Sequence, residues 1–572
     1  MSRCVVISDF NAENFAGYLS QEPALPAIEA HAAPFGQVAP LLLDAGHACW
    51  SPRPDVVIVW TQPQAVSEAF GRLLDGELVD LTRVIEDVDH YAAQLIGIAG
   101  RTGCVLVPGW VLPAHHSGVG LLELQHETGA TNVLMRMNLR LAERLAGAAG
   151  IHLLNAQRWI EAAGPRATNP KLWYMAKVPF SPDVFQAAAR DVRAALLGLS
   201  GQSRKLILLD LDETLWGGVL GDVGWEHLTL GGHDQAGEAF VDFQRALKAL
   251  AARGVLLGVI SKNDERVALD AIAKHPEMVL RQEDFAGWRI NWNDKAQNVA
   301  ELVEELNLGL QSVVFIDDHP VEQARVREAL PEVLVPEWPS DPMGYRKALM
   351  SLRCFERASV SREDRERTRL YITERQRSEL KSQVGSLEDW LKTLRVSVAF
   401  EPLSGSNLAR ATQLLNKTNQ MNLSTRRMTE SELFLWASHP QRTLWTVSVT
   451  DRFGSSGLTG LLSVERDGTT ARIVDFVLSC RVMGRKVEEA MAAAAVAQAK
   501  AWSLRRVEAR YQPTAKNMPC LEFWQRSGFA VNGDASVFEW QTQRAYPFPE
   551  ALTVTSPTAA EAVMQDSGAR GR

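Results

Sequence analysis

Three short apolar runs, at residues 207–209, 255–260 and 313–316, each end on acids or hydroxyls, and helical patterns near 239–252 and 296–306 separate them. Continuous apolar runs alternating with helices are the rhythm of a doubly wound parallel sheet. All strands of such a sheet point one way, so the residues just beyond them gather at one edge. That edge receives Asp210-Leu211-Asp212-Glu213-Thr214, then Ser261-Lys262-Asn263-Asp264, then Asp317-Asp318-His319-Pro320, with Lys295 between the last two. Residues two apart on an extended chain face the same way, which predicts that Asp210 and Asp212 converge. Converging carboxylates need a cation, and hard oxygen donors without His or Cys suit Mg²⁺.

At 572 residues the chain is too long for one core. Strand and helix patterns before residue 199 predict an N-terminal α/β domain over 1–199. The small residues at 198–203 read as a linker to the carboxylate-bearing domain, 203–340. A helical linker is expected over 341–394, including a charge-dense helix at 361–381 with Ser361 as N-cap and Asp364 in its first turn. A third α/β block follows at 395–545, and a disordered tail at 546–572. The fold class expected is therefore multidomain α/β.

Composition narrows the partners. Sixty basic and 68 acidic residues give a formal charge of -8, with no basic arm, which disfavours nucleic acid and anionic membranes. No apolar run reaches the ~18 residues of a membrane span, and Asp9 comes too early for a signal peptide, so a cytoplasmic protein is expected. The six cysteines lack metal-ligand spacing and read as reduced thiols.

In the third block an apolar strand runs into Ser479-Cys480-Arg481-Val482-Met483-Gly484-Arg485-Lys486, and a long helix follows. Backbone N–H groups and the helix dipole meet there, making a predicted anion site. Arg481 and Gly484 resemble the Arg-x-x-Gly-x-Gly/Ala loop that holds pyrophosphate in Gcn5-related N-acyltransferases. The resemblance implies pantetheine or coenzyme A binding by Arg481, Gly484, Arg485 and Asn517. Lys486 stands where Gly or Ala is expected, which makes carrier-bound pantetheine as reasonable a ligand as coenzyme A. Trp524 replaces a Tyr that would donate a proton. Asn416, Asn419, Gln420, Asn422, Arg426 and Arg427 either bind a polyol or cap helices and satisfy a loop.

The order Asp-x-Asp-x-Thr, strand-end Ser, Lys, Asp-Asp resembles the haloacid dehalogenase superfamily of phosphotransferases. That resemblance implies Asp210 as nucleophile and Asp212 as acid/base. It also implies Asp210, Asp212, Asp317 and Asp318 at the metal, and Ser261 and Lys295 on the phosphoryl group. Only a short flap, 216–224, and one helix fit between 215 and 261, so no large cap domain is expected and the catalytic edge stays open to a large partner.

Together these segments, with Leu415-Asn416-Lys417-Thr418-Asn419-Gln420-Met421-Asn422-Leu423 and Asp451-Arg452-Phe453-Gly454, resemble the FkbH-like family. This implies a glyceryl transferase/phosphatase of polyketide-type biosynthesis. Such an enzyme takes 1,3-bisphosphoglycerate, removes phosphate and loads the glyceryl unit onto the phosphopantetheine of an acyl carrier protein. Cys480, beside Arg481 and a helix N-terminus that lower a thiol's pKa, is the expected thioester carrier. Glu213 and His319 replace Asn residues of the family pattern. Residues 7–11, Ile-Ser-Asp-Phe-Asn, are similar to an SGNH-like N-terminal domain, but a Gly-Asp-Ser motif and a late Asp-x-x-His pair are missing, so a docking domain is expected, with Ser8 its residual candidate. The alternative reading is a stand-alone phosphatase with a carrier- or acyl-coenzyme A-binding module; N-acetylation of an amine is a third.

Overall fold

The computed structural model describes residues 2–21, 25–113, 120–357, 368–373, 377, 380, 386–514, 516–532 and 536–554. The chain divides into two compact units, Met1–Thr368 and Arg369–Arg572. The first unit holds two parallel sheets. The first of these comprises β1 (Ser2–Ser8), β2 (Ile28–Ala32), β3 (Val56–Trp60), β4 (Cys104–Pro108) and β5 (Ile151–Leu154), in the order β2-β1-β3-β4-β5. Every residue of β3 is buried, as expected of a strand covered on both faces.

The second sheet comprises β6 (Leu206–Leu209), β7 (Leu256–Ser261), β8 (Phe285–Ile290) and β9 (Val313–Ile316), ordered β8-β7-β6-β9. Three of these strands are the predicted runs. The fourth, β8, was not anticipated. It lies at the edge with Trp288 and Arg289 half-buried, so its sequence lacks the continuous apolar run. Helices Gln235–Ala251, Glu265–Lys274 and Lys295–Glu305 connect the strands, and Asp234, Asp264 and Asp294 cap them by accepting from backbone N–H groups. Between β6 and β7 there is no inserted domain.

Three features differ from the sequence reading. Gly198 is not a linker glycine: helix Pro182–Leu199 runs through it, and a Cβ there would come within 2.6 Å of the Glu356 carbonyl oxygen. The small residue permits close packing instead of flexibility. The segment expected as a linker is divided between cores: Tyr345, Leu349 and Phe355 are buried with the second sheet, and Trp390, Leu391 and Leu394 in the second unit. Ser361, Asp364 and most of 361–381 lie outside the described residues. Finally, the predicted tail starts too early, because Leu552–Val554 forms a strand; 555–572 lie outside the described residues.

The second unit carries β10 (Val396–Pro402), β11 (Met421–Asn422), β12 (Arg442–Asp451), β13 (Gly454–Asp467), β14 (Thr470–Leu478), β15 (Arg506–Arg510), β16 (Ala530–Asn532), β17 (Val537–Gln541) and β18 (Leu552–Val554). Their order is β16-β17-β15-β14-β13-β12-β10-β18, with β11 beside β14. Helix Val487–Ala501 crosses between the parallel strands β14 and β15, burying Ala490, Ala492–Ala495 and Ala499. Those strands pair only from Thr470/Arg506 to Ile473/Ala509. Beyond that the gap is filled by the chain itself: Leu423 donates to the Phe476 carbonyl at 3.2 Å and accepts from Gln512 N–H at 3.0 Å. Among the described residues no helix is long and apolar enough to cross a membrane.

Candidate active site

Register assembles the site. Leu209 of β6 is level with Ile316 of β9, so the next residues, Asp210 and Asp317, leave the sheet side by side. Lys295 opens helix Lys295–Glu305, and its ammonium donates to Asp210 Oδ2 at 2.7 Å and Asp317 Oδ2 at 2.6 Å. All three are buried. Asp210 Oδ1 accepts from Leu211 N–H at 2.7 Å, and Asp317 Oδ1 from His319 N–H at 2.9 Å. One carboxylate oxygen each from Asp210, Asp317 and Asp318 lie within 4.8 Å of one another. Thr214 donates to Asp318 Oδ1 at 3.4 Å.

Charge is unbalanced here. Burial, reinforced by the Asp210 charge, pushes Asp317 up to about 6 against the opposing pull of Lys295, and raises Asp318 in the same way. Burial works to lower Lys295, but Asp210 and Asp317 outweigh it and hold it above its ordinary value. Three carboxylates facing one ammonium leave a deficit of two positive charges. A divalent cation fits that deficit and the all-oxygen donor set.

Asp212 does not join the cluster, contrary to its expected place as a metal ligand. Its Oδ1 accepts from Trp216 Nε1 at 2.8 Å and Leu220 N–H at 3.2 Å, and its Oδ2 from Asn263 Nδ2 at 2.9 Å. The two-residue alternation fails because β6 ends at Leu209, and the chain after Asp210 turns into a Leu211–Leu215 hydrogen bond. Burial raises the Asp212 pKa against these three bonds. Ser261 is buried at the end of β7, within 3.5 Å of the Asn263 amide. Asn263, linking Ser261 to Asp212, was missed; its signal was its position two residues past the strand-end serine. Tyr345 was missed too, and no local motif marks it. Its hydroxyl donates to the Glu213 carbonyl at 2.8 Å, where Glu213 adopts φ +53° and accepts from Gly218 N–H at 2.7 Å.

The loop before helix Val487–Ala501 is less open than predicted. Gly484 (φ +74°) and Lys486 (φ +59°) are both left-handed, and Gly484 N–H donates to Glu488 Oε1 at 2.8 Å. Arg485 is buried, donating to Asp451 at 3.2 Å and to the Arg481 carbonyl at 2.6 Å, while Arg377 holds the same Asp451 at 2.6 Å. Asn517 is also buried. It accepts from Tyr511 Oη and Thr514 N–H, both at 2.7 Å, and donates to the Asn422 and Gln512 carbonyls. Arg485 and Asn517 thus tie distant parts of the fold together. Arg481 is half-buried, with Nε 3.4 Å from Ser479 Oγ. The Cys480 side chain lies outside the described residues; its backbone forms the turn Cys480–Val482.

The polar segment satisfies its own turn. Asn416 bonds Met428 through both N–H and carbonyl, Asn422 donates to the Thr418 carbonyl, and Arg427 donates to Leu415 O and Asn419 Oδ1. In the first unit, Ser8 Oγ accepts from Phe10 N–H at 3.1 Å, and burial pushes neighbouring Asp9 up to about 6 although Gln62 N–H donates to it at 2.8 Å.

No family model matches the sequence, and no curated protein matches it. Among solved structures, the Mg-complexed N-terminal part of the protein BF1531 from Bacteroides fragilis, which contains a phosphatase domain, is similar with 27% identity and a TM-score of 0.57. The match covers 63% of this chain and 94% of that one. Spermidine N-acetyltransferase from Vibrio cholerae, in complex with CoA and spermine, matches with 12% identity and a TM-score of 0.21 over 27% of this chain and 98% of its own. The chain is a multidomain α/β protein.

Proposed function

We propose that the chain is a Mg²⁺-dependent glyceryl transferase/phosphatase of FkbH-like type, acting in the cytoplasm. It removes phosphate from 1,3-bisphosphoglycerate and loads the glyceryl unit onto the phosphopantetheine of an acyl carrier protein. The observation that carries this reading is the buried Asp210–Lys295–Asp317 set with Asp318 at the open edge of a parallel sheet. Its likeness to a Mg-complexed phosphatase-containing structure supports it.

Asp210, Asp317 and Asp318 would hold Mg²⁺, which when bound neutralises phosphoryl oxygens and aligns them for in-line attack. Asp210 supplies the nucleophilic carboxylate: its oxygen bonds phosphorus as the phosphorus–alkoxide bond breaks. Asp212, its pKa raised by burial, gives its proton to the leaving oxygen. It then takes a proton from water, which hydrolyses the aspartyl phosphate and frees inorganic phosphate. Lys295 and Ser261 bind the transferring group, and Asn263 positions Asp212.

At the acyl phosphate end, the Cys480 thiolate attacks the carbonyl carbon and displaces phosphate. The carrier's pantetheine thiol then displaces Cys480 from the thioester, a near-isoenergetic exchange. Arg481 and the Gly484 turn receive the arm. The test is intact-mass analysis of a carrier protein incubated with the full chain, Mg²⁺ and 1,3-bisphosphoglycerate. A glyceryl adduct is expected. Phosphate release with no adduct would favour a phosphatase carrying only a binding module.

A further inference from the structure

The feature of the second unit that its motif does not account for is Glu488, in the first turn of helix Val487–Ala501. The residue is buried, with 5% of its surface exposed. Its Oε1 accepts from Gly484 N–H at 2.8 Å, and its Oε2 is buried with no hydrogen-bond partner. A loop of this kind binds a diphosphate through free amides at a helix N-terminus. Here a carboxylate of the same chain already holds one of those amides. It also presents a second, unsatisfied acceptor to the same place, and a buried acceptor without a partner is costly until a donor arrives. Phosphate oxygens are acceptors themselves and cannot satisfy the ionised carboxylate. The amides and hydroxyl of a pantetheine arm are donors and can.

We propose that Glu488 is a specificity-determining residue that closes the 479–486 loop to the diphosphate of coenzyme A and keeps it for the pantetheine arm presented by a carrier. The proposal deepens the reading above and rests on it for the identity of the arm. Repulsion grows with ligand charge, so a diphosphate is opposed about twice as strongly as the single phosphodiester of a carrier-bound arm. Burial, with Glu489 beside it, pushes the Glu488 carboxyl up to about 7 against the bonds from its own N–H and that of Gly484 and the nearby Arg485, so the repulsion is full only above that pH and binding is read at about pH 8.5. Lys486 is the competing explanation, since it stands in a left-handed conformation where the motif has Gly or Ala.

Equilibrium binding of coenzyme A and of pantetheine to the full chain, without turnover, tests this. Wild type is expected to take pantetheine and to bind coenzyme A more weakly. Glu488→Gln, which keeps size and removes charge, should raise coenzyme A affinity at least about tenfold, or about 1.4 kcal/mol, while pantetheine affinity does not rise. Lys486→Gly should leave the ratio of the two affinities within about twofold of wild type, the usual scatter for a removed surface contact. Wild type preferring coenzyme A would overturn the proposal without recourse to any variant. So would equal coenzyme A affinity in wild type and Glu488→Gln, including no binding to either, or a gain from Lys486→Gly alone. Because turnover is not read, failed carrier loading would count against the proposed function and leave this result standing.

Discussion

Replacing Lys295 by Met keeps most of the side-chain volume and removes the one ammonium that touches both Asp210 and Asp317. The side chains of Lys295, Asp210 and Asp317 are 4%, 11% and 0% exposed, so solvent screens little of the loss. Removing one member of a buried ion pair costs about 3–5 kcal/mol, and that is the expected loss of local stability at pH 7.5 without metal. The magnitude must depend on pH. Asp317 already stands at about 6 with Lys295 opposing the rise, so in the variant it stands higher still. Between pH 6 and 7.5 the folded variant then holds a proton that folded wild type has released and that the unfolded chain does not bind. A raised carboxyl stabilises below its unfolded value and loses that contribution as pH rises through its folded value. The variant therefore weakens with rising pH relative to wild type, by about 1.4 kcal/mol per unit, or about 2 kcal/mol over that window.

Because the chain has two units, global unfolding is a poor probe, and amide exchange in β6 and β9 reads the site directly. Added Mg²⁺ at about a hundredfold over its dissociation constant should restore about 2.7 kcal/mol. A penalty equal at pH 5.5 and 7.5, or one that grows toward acid, would refute the charge-deficit argument.

Asp210→Asn should lower phosphate release at least ~10³-fold while the fold survives, since the amide oxygen can still accept from Leu211; substantial release would remove Asp210 as nucleophile. Cys480→Ala should leave phosphomonoester cleavage intact and abolish both protein-bound label and carrier loading from labelled 1,3-bisphosphoglycerate; loading at an undiminished rate would favour direct transfer to the carrier thiol. Asp9→Asn should stabilise β1 by about 2 kcal/mol at pH 7.5 and by little near pH 4, because the Asp9 pKa is raised and its stabilising contribution is lost as pH climbs through about 6; amide exchange that shows the same gain at both pH values would contradict this.

Strands β3, β6, β7 and β9 were legible because burial on both faces forces a continuous apolar run. β8 was not, because an edge position tolerates Arg289 and a half-exposed Trp288. The same limit applies within the site. Asp210, Asp317 and Lys295 meet because parallel register places strand ends level, a rule the spacing already carries. The Asp212 carboxylate was expected beside Asp210 and lies outside the group because the rule for alternating side chains holds only while the chain remains in the strand. Its partners Trp216, Leu220 and Asn263 follow from a turn that no spacing specified.

Arg481 and Gly484 matched a motif by type and spacing, and Arg485, within that loop, was expected to bind the ligand with them, yet a charge far along the chain holds Arg485. Asp451 lies 34 residues away and holds both Arg377 and Arg485. Arg377 and Arg485 are thus both occupied by a carboxylate of the chain itself. Asp210, Asp317 and Asp318 against Lys295 come to minus two, an arrangement that burial makes expensive unless a divalent cation completes it. Residue type and spacing select where chemistry is permitted, and the uncompensated charge selects where it occurs. By that criterion the Asp210, Asp317 and Asp318 cluster of the first unit is the place for a divalent cation.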